Sequence, residues 1–180
     1  MKLKTYVKKL GLSIAASSVV AGLQMPPALA MPPSPAAQHV LDEARRVGLA
    51  RFTAPDFKPG LIRHVVMFRF NPRATQAERH EVTKRFVALA SLSRRPNGAA
   101  VVVSIETGPQ MSGENADIGL EQAYLVTFRS EGDRNFYVGS PIVSNPQYFD
   151  PAHNAFKSFA GSYLEKVVVF DFPVMLTTQN

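Results

Sequence analysis

The sequence predicts an α+β domain whose elements run in the order βαββαβ. Three observations carry this expectation. Residues 62–70 and 122–128 alternate side chains with a period of two. Thr75-Gln76-Ala77-Glu78 has the form of a capping box, and Val82, Phe86 and Leu89 follow at i, i+4 and i+7. A second helical region then precedes a closing apolar run, Lys166 to Phe172.

Two segments precede the domain. Residues 1–30 read as an export signal. Lys2, Lys4, Lys8 and Lys9 make a positive start, an apolar stretch runs from Leu10 to Leu23, and Ala28-Leu29-Ala30 supplies a small-x-small cleavage site. Ser13, Ser17, Ser18 and Gly22 interrupt the stretch, which is short for a bilayer span. The chain has no Cys, so a lipoprotein anchor is excluded, and Lys8-Lys9 favours the general secretion route over the twin-arginine one. The protein is therefore expected outside the cytoplasm, periplasmic or secreted, with no stable membrane anchor after cleavage. Residues 31–60 form a Pro-rich lead-in. Met31-Pro32-Pro33-Ser34-Pro35 is limited to extended backbone, and Gln38 to Leu49 is a possible short helix with Val40, Leu41, Ala44 and Val47 at helical spacing. Pro55, Pro59 and Gly60 punctuate the chain between this helix and the domain.

Charge depends on this division. The whole chain carries 20 basic and 14 acidic residues, but four of the lysines lie in residues 1–30. The remainder has 16 against 14, a near-neutral body that gives no electrostatic reason to invoke nucleic acid. Without Cys, an exported protein must rely on its core rather than on disulfides.

The domain itself spans residues 61–175, and residues 176–180 are a tail. In the first strand, Ile62 to Phe70, His64, Val66, Phe68 and Phe70 share one face, and Arg63, Val65, Met67 and Arg69 share the other. Asn71-Pro72 ends it, and the capped helix comes next. Arg94 to Gly98 is a turn, Ala99 to Ile105 a second strand, and Gly108 to Gly119 a polar loop. Gln122 to Phe128 is a third strand. Ser130-Glu131-Gly132-Asp133 opens a short helix through Tyr137, residues 141–151 are irregular, and Ala152 to Phe159 suits another helix. Lys166 to Phe172 is the fourth strand.

This order is the ferredoxin-like arrangement, a four-stranded antiparallel sheet with helices on one face. The strands are apolar on both faces, most clearly at Val101-Val102-Val103 and Val167-Val168-Val169-Phe170. A bare apolar sheet face calls for a partner, and a two-fold homodimer is the commonest solution.

Five segments resemble the dimeric stress-responsive A/B barrel (Dabb) family. They are Ile62 to Phe70, Gly108-Pro109, Phe128 through Tyr137, Pro151-Ala152-His153-Asn154-Ala155-Phe156, and Val168-Val169-Phe170-Asp171-Phe172. The resemblance covers residues 61–173 and implies a dimeric α/β barrel. A plant member of that family is a polyketide cyclase that closes a poly-β-keto acid by aldol condensation. Its Tyr and His fall in the region of Tyr137 and His153, and its supporting His matches His64. The resemblance therefore implies His153, Tyr137 and His64 as catalytic candidates. Here, however, an insertion separates Tyr137 from His153, and Asp150 stands where family members carry the first His of a Tyr-x-x-His-Pro-x-His run. Tyr148 is an alternative to Tyr137.

The residue chemistry allows two readings. A His near neutral pKa at a helix start can take a proton from a β-keto substrate while a Tyr hydroxyl holds the enolate oxygen. Alternatively His153 satisfies local backbone groups and packs against the sheet, which is the preferred reading, and His64 is a satisfied core residue. His80 is solvated and His39 is assigned no role. The four histidines lack the i, i+4 pairing of a metal site, and neither metal nor cofactor is expected. Phe68, Phe70, Phe86, Tyr124 and Phe128 read as core. Tyr148 and Phe149 either cap a cavity mouth or anchor their loop, and with Phe86 they are the candidate ligand contacts. Two functions remain open: a dimer that binds a small apolar ligand, and a cofactor-free enzyme, cyclase or oxygenase, acting on β-keto or phenolic small molecules.

Overall fold

The structure is a computed structural model that describes residues 32–175. The expected export signal, residues 1–30, and the expected tail, residues 176–180, lie outside the described residues. Among the described residues, no helix is long and apolar enough to cross a membrane.

Strand β1 (Pro59–Phe70) is central to the sheet. It pairs antiparallel with β3 (Gln122–Ser130) on one side and with β4 (Leu164–Pro173) on the other. The fourth strand, β2 (Ser104–Pro109), lies outside β3, giving the order β2-β3-β1-β4. Ile62, His64, Val66, Phe68 and Phe70 are buried beneath the helices, as the alternation requires. Helix α3 (Gln76–Leu92) starts at the capping box of Thr75 and Glu78 and buries Val82, Phe86 and Leu89 on that face. Phe86 stacks on Tyr124 of β3 at 3.9 Å.

The second strand differs from its expected range. Residues 99–103 are not strand, and pairing begins at Ser104 and continues to Pro109. Val101 and Val102 are both buried. Their burial comes from packing at the end of α3 rather than from strand pairing. The Val101 amide instead bonds the carbonyl of Ser93 at the end of α3.

The lead-in is a helical pair packed on the domain. Helix α1 (Pro35–Val47) starts one turn earlier than expected, because Ser34 caps it and Pro35 fits its first turn. Gly48, at φ 79°, breaks it before the short α2 (Leu49–Phe52). Helix α2 packs on α4 (Glu131–Val138), and α1 packs on α2. The buried Asn135 side chain donates to the Phe52 carbonyl at 2.8 Å, and the Gly132 amide donates to the Phe57 carbonyl at 3.0 Å. Phe52, Phe57 and Val143 form a second small core with Ala44.

Helix α5 (Pro151–Ala160) comes after the insertion. Asp150 caps it, one carboxylate oxygen accepting from the Ala152 amide at 2.9 Å. An Asp at this position is thereby explained as a helix cap.

Candidate functional site

The helix face of the sheet is not fully covered. Helix α4 packs on β1 and β3 and α3 reaches β2, with α5 against α3, while the helix-side face of β4 is left largely open. Over that face opens a cavity of about 1010 Å³. Its floor is Ile62, Val66 and Phe68 of β1 with Val167 and Val169 of β4, and its walls include Val40 of α1 and Phe156 of α5. Val167 and Val169 remain 49% and 52% exposed, large for β-branched side chains on the face that carries the core.

His64 and His153 both reach this cavity, and so does Phe86. The position of each imidazole is set by its element. His64 points to the helix face by strand parity and lies directly opposite Asp171 of β4. Its Nδ1 is 2.6 Å from Asp171 Oδ1, and Arg134 of α4 donates to Asp171 Oδ2 at 2.6 Å. Burial alone would raise the Asp171 pKa. The hydrogen bond from His64 and the nearby charges, including Arg134, outweigh that and hold it below the ordinary carboxylate value. A carboxylate that stays ionised accepts only, so Nδ1 of His64 carries the proton and Nε2 is the remaining ring nitrogen.

His153 enters from the first turn of α5. Its Nδ1 is 2.6 Å from the carbonyl oxygen of Tyr137, which can only accept, so Nδ1 again donates. Burial depresses its pKa to about 3, against a smaller opposing effect from that hydrogen bond. The ring is therefore neutral at physiological pH, with Nε2 as its acceptor. A base this weak is poorly matched to proton abstraction near pH 7.

Tyr137 does not join the two histidines in the cavity. Its ring stacks on His153 at 3.9 Å and 13°, and meets His64 edge-on at 6.0 Å. Its hydroxyl is buried with no hydrogen-bond partner. Burial, reinforced by the carboxylate of Asp150, pushes the phenol far above its ordinary range. The hydroxyl expected to hold an enolate oxygen is thus spent in the core, because α4 lays the ring between the sheet and α5.

Tyr148 and Phe149 are also away from the cavity wall. Both pack against the small core formed by Ala44, Phe52, Phe57 and Val143. Gly139, at φ 63°, lets the insertion fold back so closely that its position lies 2.9 Å from Phe149 Cβ when a Cβ is added. The two aromatics anchor the insertion to the lead-in, and the loop's remaining contact with the cavity is through residues 139–143.

Several cavity residues carry no signal in the sequence alone. Arg134 of α4 is one of them; Asp171 belongs to a segment that carries the family resemblance and could orient an imidazole, but only the strand register sets it opposite His64. His39, Val40 and Glu43 belong to the lead-in, yet α1 brings them over the cavity. Among the described residues no group of three or more His, Cys, Asp or Glu side chains could hold a metal ion.

Comparison with known proteins agrees with this architecture. A crystallised protein of Arabidopsis thaliana is 21% identical, with a TM-score of 0.54 over 66% of this chain and 99% of its own. A hydroxynitrile lyase from Passiflora edulis is 20% identical, with a TM-score of 0.53 over 67% of this chain and 99% of its own. A dimeric ferredoxin-like protein of unknown function from Jannaschia sp. CCS1 is 18% identical, with a TM-score of 0.48 over 64% of this chain and 100% of its own. At such identities the likeness is one of fold. No curated protein matches the chain by sequence. The family model described as Stress responsive A/B Barrel Domain matches residues 62–174, from the start of the alternating strand that bears His64 to just past the strand that bears Asp171, and the chain belongs to that family.

Proposed function

We propose that this chain is an exported homodimeric A/B barrel protein that binds a small, largely apolar molecule between its sheet and helices α1, α4 and α5. The observation that carries this reading is the cavity itself. Its volume of about 1010 Å³ lies at the upper end of small-molecule sites, and an apolar floor with few polar groups is their usual make-up. The low basicity of His153 and the burial of the Tyr137 hydroxyl favour binding over catalysis.

The homodimer rests on the opposite sheet face. Val65, Met67 and Leu125 are only partly covered there, and Phe170 is 62% exposed. A second sheet laid on this surface would bury an apolar patch that water otherwise meets. Export rests on the basic start, the apolar stretch and the cleavage pattern of residues 1–30.

A neutral fluorescent probe, N-phenyl-1-naphthylamine, tests the binding reading on the mature protein. Saturable fluorescence enhancement at one probe per protomer is expected, and Val169→Trp, which fills the floor from a solvent-exposed position, should abolish it. Absence of saturable binding, or full binding by the Trp variant, overturns the reading.

One observation favours a second reading. The Asp171 carboxylate fixes His64 so that Nε2 is its free ring nitrogen, an arrangement suited to acid–base work on a β-keto or phenolic molecule. That reading requires turnover that is lost in a folded His64→Gln dimer. It assigns the proton transfer to His64, and His153→Ala separates the two imidazoles.

A further inference from the structure

Lys157 stands out among the charged groups around the cavity: Lys166 also lacks a carboxylate partner among the described residues but is exposed, whereas Lys157 is half-buried and held in place. Four acids line the cavity, and each already has a cation. Lys58 Nζ lies 2.6 Å from Glu43 Oε1 and 3.4 Å from Glu131 Oε2. Arg134 holds Asp171 at 2.6 Å, and Arg69 holds Glu165 at 2.8 Å. Lys157, in the last turn of α5, has no carboxylate partner among the described residues. Its ammonium bonds two backbone carbonyls instead, Val138 at 2.8 Å and Ser140 at 3.2 Å.

Those bonds explain the side chain's position but leave its charge unbalanced. Val138 ends α4, where carbonyls without helical partners attract a cation. The pair of carbonyls fixes the ammonium at the cavity wall and takes two of its three N–H groups. Burial lowers the pKa of Lys157, the sign of a positive charge short of both water and a counter-ion. Four residues earlier on the same helix face, His153 adds a neutral ring with an acceptor nitrogen and no second positive charge. The apolar floor continues from this point along Val167 and Val169.

We propose that Lys157 is the head-group anchor of the cavity, and that the ligand is an amphipathic organic acid: one carboxylate on an apolar body. The carboxylate takes the third N–H of Lys157 and supplies the missing negative charge, while the body lies along the β4 edge. This assignment rests on the proposed binding function and adds the chemical class of the ligand and the residue that selects it.

Dodecanoate and dodecanol, which share an apolar body and differ in the head, test it by displacement of N-phenyl-1-naphthylamine at pH 7.5. The wild-type protein should bind dodecanoate about tenfold more tightly than dodecanol, as a charge-assisted hydrogen bond implies. Lys157→Gln should bring that ratio to about one, and Lys157→Arg should keep most of it. Equal affinities in the wild type overturn the inference without recourse to any variant, while leaving the apolar cavity as a binding site. A dodecanoate preference that survives in folded Lys157→Gln also overturns it, by placing the head elsewhere. If the probe itself shows no saturable binding, the binding reading fails, and the assignment falls with it.

Discussion

The imidazole of His153 lies flat on the ring of Tyr137, 3.9 Å away, and donates its Nδ1 proton to the carbonyl of that same residue. The pair is therefore locked twice, once by stacking and once by a hydrogen bond. A His and a Tyr that the sequence offers as base and hydroxyl are, in this fold, a packing unit between α4 and α5. Only the imidazole has a route to the cavity.

This burial makes stability depend on pH. The folded pKa of His153 is about 3, below its ordinary value of 6.5, so the unfolded chain binds the extra proton between those two values. Its contribution is complete above pH 6.5 and is lost as pH falls toward 3. Asp150, whose pKa burial raises, acts in the opposite sense above 3.8, and Asp171 acts only below 3.8. Urea titrations between pH 6.5 and 4 should show wild-type stability falling relative to His153→Gln, by up to about 1.4 kcal/mol per pH unit. Parallel pH profiles of the two proteins would refute it.

Asp171 joins β1, β4 and α4 through His64 and Arg134. Asp171→Asn removes the counter-charge of Arg134 and should cost about 2 kcal/mol at pH 7, measured by denaturant unfolding. Arg134→Met should cost a similar amount, and the double variant less than the two together. Fully additive losses would show that the ion pair contributes nothing.

The lead-in should behave as part of the fold. A Cβ at Gly132 would sit 1.8 Å from the Ala54 carbonyl oxygen, so Gly132→Ala must push the segment before β1 off α4. Limited proteolysis should then cut residues 48–58 in the variant while the wild type resists. Equal resistance in the two proteins would show that this contact does not hold the lead-in in place.

Light scattering of the mature protein at micromolar concentration should give twice the protomer mass. Phe170→Glu, at a solvent-exposed position on the open sheet face, should give a folded monomer with an unchanged far-ultraviolet spectrum. A wild-type monomer, or a variant that stays dimeric, contradicts the proposed sheet-to-sheet pairing.

Expressed with its own leader in a Gram-negative host, the protein should accumulate outside the cytoplasm and begin at Met31. Amino-terminal sequencing checks this, and material that retains Met1 excludes cleavage.

The elements and their inner faces were legible in the sequence, because they depend on local periodicity and capping. The alternation of residues 62–70, the Thr75–Glu78 box and the spacing of Val82, Phe86 and Leu89 each state which side is buried. The second strand begins later than its apolar run suggests because Val101 and Val102 are apolar for a tertiary reason, the packing of a crossing segment, which local pattern does not distinguish from a pleat. The cavity is of the same kind. His64 meets Asp171 only through a register between strands, across 107 positions of sequence, and α1 reaches the cavity only by packing on α2 and on the small core of Phe52, Phe57 and Val143. Tyr137 and His153 are visible as residue types, but whether a hydroxyl faces ligand or core depends on how a helix is rotated against the sheet. Long-range packing determines that rotation, so chemistry-bearing residues could be read from the chain while their access to a ligand could be decided only by the tertiary structure.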